Sequence, residues 1–318
     1  MRPRYHRPAT VAAALEAVAA EGTLPLAGGT EVVAWLKEGL AAPATLVDIS
    51  RLPLAGIRRD GTVLRIGATT RLADLTASGI VRQEAPSLAL AAADAASPAL
   101  RAMGTLAGNL LQKNRCPYFR STGPCNQRAP GTGCSARVGD HRAGAIFGGS
   151  EWCVAVHASD LAVVLAALDA RILIDRAGGR RETDIHGLTG GGEERLRPGE
   201  LVTEIVVPLQ PTARTTAYRK IRERAGFDFA LVSGAAACQV VDGVVTGARL
   251  VLGGVAPSPR RCRGAEAALI GKPFEPIGVA AAVEAELALA TPLPGNAFKV
   301  ELVGRLAVDV LLAAGGAA

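Results

Sequence analysis

The sequence has no apolar run long enough to cross a bilayer, few aromatic residues and no run of basic ones. A membrane-spanning helix needs about 20 consecutive apolar residues, and aromatic residues make up only 3% of these 318. Lysine and arginine exceed aspartate and glutamate by 35 to 29, but they are dispersed. Nucleic-acid surfaces usually combine a basic stripe with stacking aromatic rings. We therefore expect a soluble protein with no membrane span and no nucleic-acid partner.

Three common site signatures are also missing. The sequence has no CxxC pair, the usual mark of a zinc knuckle. It has neither a GxGxxG fingerprint nor a Walker A sequence, so a Rossmann or P-loop nucleotide site is not expected. The four histidines are scattered, and no nucleophile and base are placed together. The sequence therefore predicts no catalytic residues on this chain.

The N-terminal segment is basic and then rich in alanine, which superficially resembles a signal peptide. Glu16 interrupts the apolar part, while Thr10 before it and Gly22 after it favour a capped amphipathic helix. We therefore expect no signal on this chain. Export to the periplasm would then require a partner that carries the signal; otherwise the protein is cytoplasmic.

Four of the six cysteines lie between residues 104 and 160, in a stretch rich in Gly, Pro and Asn. They are Cys116, Cys125, Cys134 and Cys153. Regular helices and strands do not persist in such a composition, so something other than a hydrophobic core must hold the stretch. Two disulfides, a zinc site and a [4Fe-4S] cluster are the candidates.

The spacing of these cysteines bears on that choice. Gaps of eight, eight and eighteen residues suit a long loop whose thiolates reach a large object, such as a [4Fe-4S] cluster, from separate directions. Disulfides need a secreted context, and Cys238 and Cys262 are expected to be ordinary buried thiols. The pattern favours the cluster and leaves the other two chemistries open.

Arginines accompany the cysteines, namely Arg115, Arg120, Arg128, Arg137 and Arg142. They form either a solvated basic loop or a set of charges that offsets a thiolate-bound cluster or faces an acidic partner.

Two glycine segments precede or begin this stretch. A short strand at Leu24–Leu26 leads through Gly28 and Gly29 into a helix that contains Val32. A glycine turn between strand and helix directs unpaired backbone N–H groups at an anion, although many such turns are only tight turns. A second glycine turn is predicted at residues 104–109, where the backbone can approach a ligand closely. Together they predict one extended ligand held from two sides.

The remainder divides into two parts. Ser159 is a candidate N-cap for a helix over residues 160–168, and hairpin turns are predicted at Asp60-Gly61 and Asp242-Gly243. Two prolines after residue 207 suggest a domain boundary at residue 210. Strands followed by helices beyond it indicate an α+β domain.

Four segments in the expected order carry a family resemblance: LAGGTE (26–31), GTLAGN (104–109), SDLA (159–162) and YRKIRERAGFDFALVSGAA (218–236). Together they resemble the FAD-binding subunit of the xanthine dehydrogenase/molybdenum hydroxylase family. The resemblance covers essentially the whole chain. It implies an α+β fold, with a vanillyl-alcohol-oxidase-like FAD-binding domain of two α/β subdomains (1–210) and a C-terminal domain of antiparallel sheet and helices (211–318).

An insertion at about residues 112–156 separates GTLAGN from SDLA; we call it the cysteine loop. It resembles insertions in the flavin subunit of periplasmic-type aldehyde oxidoreductases and in the β subunit of 4-hydroxybenzoyl-CoA reductase, where the loop binds an extra [4Fe-4S] cluster. The wording NRCPYFR and PCNQRAPGTGC is more similar to the first branch. The resemblance thus implies that the four cysteines of this loop are ligands of a cluster. We expect a structural or interface role for this cluster more than a role as an electron relay, because FAD can already receive electrons through the clusters of a small subunit.

The family pattern also implies a set of FAD-binding residues: Leu26, Ala27, Gly28, Gly29, Thr30, Glu31, Thr105, Gly108, Asn109, Ser159, Asp160 and Lys220. The first six would form the loop over the pyrophosphate, and the next three its second side. Ser159 and Asp160 would contact the ribityl or ADP portion, and Lys220 would stand near the isoalloxazine. Ala107 occupies a position where the family usually has glycine.

The resemblance implies an electron-transfer subunit of a molybdenum-dependent aldehyde oxidoreductase. Aldehyde oxidation would occur at a molybdenum cofactor on a large subunit, and electrons would pass from [2Fe-2S] centres on a small subunit through FAD to an external acceptor. The expected assembly is a heterotrimer or its dimer. The alternatives are a 4-hydroxybenzoyl-CoA reductase-like β subunit and, from another class, a zinc- or disulfide-stapled binding module without a redox role.

Overall fold

The computed structural model describes residues 2–190, 195–210 and 215–316. Its strands are β1 Arg4–His6, β2 Thr23–Leu26, β3 Thr45–Asp48, β4 Ile57–Asp60, β5 Val63–Gly67, β6 Arg171–Arg176, β7 Gly179–Asp184, β8 Glu200–Pro208, β9 Thr216–Ile221, β10 Val232–Val241, β11 Val244–Gly253 and β12 Arg260–Arg261. The expected boundary after residue 210 adjoins residues 211–214, which lie outside the described residues.

The α-helices alternate with these strands in the first part and follow them at the end. They are α1 Val11–Ala19, α2 Val32–Lys37, α3 Leu72–Ala77, α4 Gly79–Glu84, α5 Pro86–Asp94, α6 Pro98–Arg101, α7 Leu106–Leu110, α8 Asp160–Ala167, α9 Ile185–Thr189, α10 Arg263–Leu269, α11 Pro276–Leu287 and α12 Phe298–Ala314. Among the described residues, none of the helices combines the length and apolarity needed to span a bilayer.

Three sheets organise the described chain. A small parallel sheet has the order β1-β3-β2 and packs against α1, whose Ala14, Leu15 and Val18 are buried. A five-stranded antiparallel sheet has the order β4-β5-β8-β6-β7, and a four-stranded antiparallel sheet has the order β12-β11-β10-β9. Helices cover the last sheet to form a second large core. This mixture of helices and sheets confirms the α+β expectation.

Local signals set several element ends where the sequence predicted them. The Thr10 hydroxyl accepts a hydrogen bond from the Ala13 N–H at 3.1 Å and so begins α1. Asp242 and Gly243 connect β10 to β11 with φ angles of 50° and 78°. Positive φ at both central residues is what a two-residue hairpin turn requires.

Helix α8 lies at the centre of the molecule, and each of its eight residues is buried. It contacts α5 on one side and strands β10 and β11 on the other. Its apolar residues therefore join the core of the first domain to the C-terminal sheet. The N-terminal end of α8, with Ser159 as its cap and Asp160 as its first residue, is thereby held between the two parts of the chain.

The C-terminal part holds the end of the cysteine loop through polar contacts. Lys299 in α12 is fully buried and donates hydrogen bonds to the carbonyls of Gly144 at 2.8 Å and Gly254 at 2.5 Å, with Ala143 at 3.3 Å. Burial lowers the pKa of Lys299 to about 8. The neighbouring Asn296 side chain donates to the Ala145 carbonyl at 3.2 Å.

We expect Lys299→Met to destabilise the protein by about 2–4 kcal/mol, because buried carbonyls that lose their donor pay the full cost of desolvation. The measurement is the shift of the unfolding midpoint in denaturant. Lys272→Met is the matched control, since Lys272 is exposed. Equal midpoints for both variants would show that the three carbonyls do not depend on this ammonium group.

Candidate functional site

The segment after β2 runs so close to the start of α7 that only glycine fits. A Cβ on Gly28 would lie 1.9 Å from the carbonyl oxygen of Met103, far inside van der Waals contact. Gly29 follows with a φ of +75°, a left-handed conformation that glycine adopts without strain. The two glycine segments singled out in the sequence therefore lie against each other.

The second of these segments is helical from Leu106 onward, so the prediction of a glycine turn over residues 104–109 was wrong. Thr105 has an extended backbone, and its hydroxyl accepts a hydrogen bond from the Gly108 N–H at 3.3 Å. This N-cap begins α7, so Gly108 and Asn109 lie inside the helix. The cap stabilises the helix by about 1 kcal/mol, enough to offset the similar cost of one internal glycine.

Two adjoining cavities lie along the contact between the segments. The first measures about 340 Å³ and is lined by Gly28, Gly29 and Trp35. The second measures about 240 Å³ and reaches Asp160 and Lys220. The residues that line both cavities, and so mark where they join, are Thr30, Glu31, Thr105 and Gly108. Together the two cavities form one long binding space, which we call the long cavity. It has glycine backbone on one side and charged side chains at one end.

Ten of the twelve residues singled out for a cofactor line one or both of these cavities, including Ala27 and Asn109. The other two support the walls. The carbonyl of Leu26 accepts a hydrogen bond from the Ile49 N–H at 2.9 Å. The hydroxyl of Ser159 donates to the Asn109 side-chain oxygen at 2.6 Å, so it orients a residue of the cavity.

A buried ion pair closes the far end of the second cavity. Lys220 Nζ lies 2.8 Å from the Asp160 carboxylate, with side-chain exposures of 1% and 6%. Lys220 also donates to the Asp94 carbonyl at 3.3 Å. Burial raises the pKa of Asp160, and the ammonium of Lys220 opposes that rise. Because Asp160 begins α8 and Lys220 belongs to β9, the pair also ties the first domain to the C-terminal sheet.

Two exposed aromatic residues at the mouth of this cavity were not singled out in the sequence. Phe227 and Phe229 line the cavity, yet they are 64% and 45% exposed. The guanidinium of Arg115 lies 4.6 Å from the centre of the Phe229 ring, a cation–π distance. The segment GFDF offered a signal, since aromatic residues are rare in this chain and two occur there together.

The four cysteines of the loop line a single small cavity of about 10 Å³. All four are free thiols. Cys125 and Cys134 face each other in an isolated antiparallel bridge, and the Asn126 side chain accepts from the Gly133 N–H at 2.8 Å to fix the turn between them. The structure thus gathers residues that span 38 positions of sequence around one space.

The thiols of this cavity are partly shielded from water and have N–H donors nearby. The N–H of Ala155 donates to the Cys153 sulfur at 3.4 Å, and backbone N–H groups also face the Cys116 sulfur. Burial raises the pKa of both thiols. Across the described residues, no three potential ligand side chains converge closely enough to hold a single ion.

Cys238 and Cys262 lie apart from this cavity, in the core of the C-terminal domain. Burial raises the pKa of Cys238 to about 11, so it stays protonated at neutral pH. Both are buried thiols, as expected.

The cysteine loop contacts the glycine segment through Glu31. Arg115 and Arg120 approach its carboxylate to 2.5 and 2.9 Å. The other loop arginines with ion pairs have different partners, Glu151 for Arg137 and Glu223 for Arg142. The cysteine loop and the long cavity are therefore joined by charged side chains.

Family comparison agrees with this geometry. The FAD binding domain found in molybdopterin dehydrogenases matches residues 1–210, and the C-terminal domain of CO dehydrogenase flavoproteins matches residues 216–314. The chain belongs to the family of FAD-binding subunits of molybdopterin dehydrogenases. The resemblance drawn from the four sequence segments is confirmed.

Individual relatives are similar over nearly their whole length. The aldehyde oxidoreductase FAD-binding subunit PaoB of Escherichia coli K12 is 40% identical over 317 residues, 96% of each chain. The carbon monoxide dehydrogenase medium chain of Hydrogenophaga pseudoflava is 31% identical over 98% of this chain and 97% of its own. The solved structure of a carbon monoxide dehydrogenase from that organism, lacking the Mo-pyranopterin moiety, matches with a TM-score of 0.78 and 29% identity over 99% of this chain and 97% of its own.

We expect Gly28→Ala to abolish stable FAD binding and to lower the unfolding temperature, because the added methyl would force apart the two segments that form the long cavity. The cost should reach several kcal/mol, as for other overpacked sites. Gly278→Ala is the matched control, because nothing lies within 4 Å of a Cβ at that helical position. Normal flavin content in Gly28→Ala would mean that the close approach is unnecessary for the cavity.

Proposed function

We propose that this chain is the FAD- and [4Fe-4S]-containing electron-transfer subunit of a molybdenum-dependent aldehyde oxidoreductase. It would receive electrons from [2Fe-2S] centres on a small subunit and deliver them through FAD to an external acceptor. Aldehyde oxidation to the carboxylic acid would take place at a molybdenum cofactor on a large subunit of the same heterotrimer. The observation that carries the proposal is the position of the cavity lined by the four cysteines, which lies beside the long cavity. The chain is also 40% identical to an aldehyde oxidoreductase subunit.

The long cavity suits FAD in both shape and chemistry. Gly28 and Gly29 leave backbone exposed where the pyrophosphate would lie, and Thr30 and Thr105 add hydroxyl groups where the two cavities join. Asp160 and Lys220 would face the other part of the cofactor, with their charges already balanced by each other. FAD supplies the redox chemistry when bound, and the protein supplies position and electrostatic environment.

The four cysteines line one cavity, and their wide spacing in sequence favours a cluster over a single zinc ion. Zinc needs four ligands about 2.1–2.3 Å from one point, whereas a [4Fe-4S] cluster takes one thiolate at each of its separate irons. The N–H donor at Cys153 is of the kind that stabilises thiolate sulfur and tunes cluster potential. We assign Cys116, Cys125, Cys134 and Cys153 as the ligands.

The decisive experiment is a cofactor analysis of the complex co-expressed with its partner subunits and purified anaerobically. We expect about four irons, four sulfides and one FAD on this chain after separation of the subunits. Adding an aldehyde to the intact complex should bleach the flavin absorbance. Zinc without flavin would overturn the proposal in favour of a stapled binding module. FAD without iron would overturn the assignment of a cluster to this chain. A complex that aldehydes do not reduce, but whose reduced form is oxidised by an aromatic thioester, would belong to the reductase branch.

We expect Cys125→Ser to remove the iron of this chain and to leave most of the flavin when FAD is in excess, because Cys125 lines the thiol cavity and not the walls described for the long one. Iron, sulfide and flavin are measured on the purified complex. Cys238→Ser is the matched control, since Cys238 is buried in the C-terminal core, and it should retain all three. Full iron content in Cys125→Ser would exclude Cys125 as an essential ligand.

A further inference from the structure

Glu31 lies where the glycine segment, both cavities and the cysteine loop meet. Its carboxylate accepts hydrogen bonds from the Trp35 indole at 2.6 Å and from the Lys113 backbone N–H at 3.2 Å. It also pairs with the guanidinium groups of Arg115 and Arg120. Its side chain is only 11% exposed. A single carboxylate therefore joins α2, which follows the glycine segment, to the first part of the cysteine loop.

Both arginines shape the cysteine loop as well as contacting Glu31. Arg115 directly precedes Cys116, and Arg120 follows it by four residues. The Arg120 Nε donates to the Asn114 carbonyl at 3.1 Å, which fixes the backbone just before Cys116. Arg115 lines the second cavity and stacks on Phe229 at its mouth. Arg115 therefore adjoins Cys116 in sequence and lies in the wall of the second cavity, while Arg120 fixes the backbone before Cys116.

The charges at Glu31 determine how the cysteine loop would affect the binding of an anionic ligand. An uncompensated carboxylate in the wall of a cavity for a pyrophosphate would repel the ligand, and the repulsion grows as water is excluded. Two guanidinium groups compensate Glu31 as long as the loop holds them in place. Loss of loop order would leave Glu31 unpaired in a mostly buried position, which is costly for the empty protein and worse with an anion beside it.

We propose that Glu31 is a positioning residue that couples the two sites, so that an assembled metal site in the cysteine loop strengthens FAD binding and bound FAD protects the metal site. The proposal rests on the proposed function, which supplies both cofactors. Coupling between two sites is reciprocal, so each must affect the other by the same factor at equilibrium.

The coupling is measured on the full chain in its complex. The dissociation constant for FAD is determined by flavin fluorescence with the complex iron-loaded and iron-depleted, and the release of iron to a chelator is followed with and without saturating FAD. In the wild type we expect iron loading to tighten FAD binding by about five- to tenfold, a typical coupling between sites. FAD should slow the release of iron.

Glu31→Gln should reduce the coupling to less than about twofold, since the amide oxygen can still accept from Trp35 and Lys113 but the charge that holds the two arginines is gone. Glu38→Gln is the matched control. Glu38 also contacts Arg120, at 2.7 Å, but lies at the other end of α2, so this variant should keep the wild-type coupling. Arg120→Gln provides a second test from the loop side and should behave like Glu31→Gln.

The outcomes separate this inference from the proposed function. A wild-type complex without iron or without flavin overturns both. A wild-type complex that holds both cofactors, but binds FAD equally well with and without iron, overturns the coupling alone. Undiminished coupling in Glu31→Gln or Arg120→Gln would show that some contact other than Glu31 carries it.

Discussion

The backbone of Gly28 lies so close to the Met103 carbonyl that no side chain fits between them. This approach brings together two segments about 75 residues apart in sequence and leaves the long cavity along their contact. Thr30 and Thr105 line both of the cavities that adjoin along this contact. Without the close approach, the glycine segment would be an ordinary turn before a short helix.

The cysteine loop has little regular structure of its own, so contacts from the rest of the chain must hold it in place. Ordering each residue of such a loop costs about 1–2 kcal/mol of backbone entropy. Side chains from elsewhere offset part of that cost: Glu31 holds the beginning of the loop, while Asn296 and Lys299 hold its end. The loop is therefore attached to both domains, and its four thiols line one cavity even though their sequence spacing is wide.

Buried charge recurs at the junctions between parts of the chain. The pair of Lys220 and Asp160 joins β9 to α8, and Lys299 joins α12 to the loop. Buried ion pairs contribute little net stability, but removing one partner is costly. Such contacts are well suited to fix how domains meet around a ligand. The pair of Lys220 and Asp160 lies at the end of the cavity that the ligand would occupy.

Several helix ends and turns could be predicted from residues that lie close together in sequence. Thr10 and Ser159 begin helices because their hydroxyls accept from the N–H three residues on, and the Asp242-Gly243 turn follows from two positive φ angles. The Gly104–Asn109 turn failed because the Thr105 cap was overlooked. The contact between Phe229 and Arg115 was not predicted, because a pair separated by more than 100 residues leaves no local pattern.

The sequence by itself determined the family, the α+β class, the helix caps at Thr10 and Ser159, the hairpin turn at Asp242-Gly243 and which cysteines belong together, since each depends on residue type and short-range spacing. Only the tertiary structure decided that Glu31 joins the glycine segment to the cysteine loop and that Lys299 supports that loop from the last helix. Such partners lie far apart along the chain, and their meeting depends on how α8, the sheets and the loop pack together, which no local pattern of residues records.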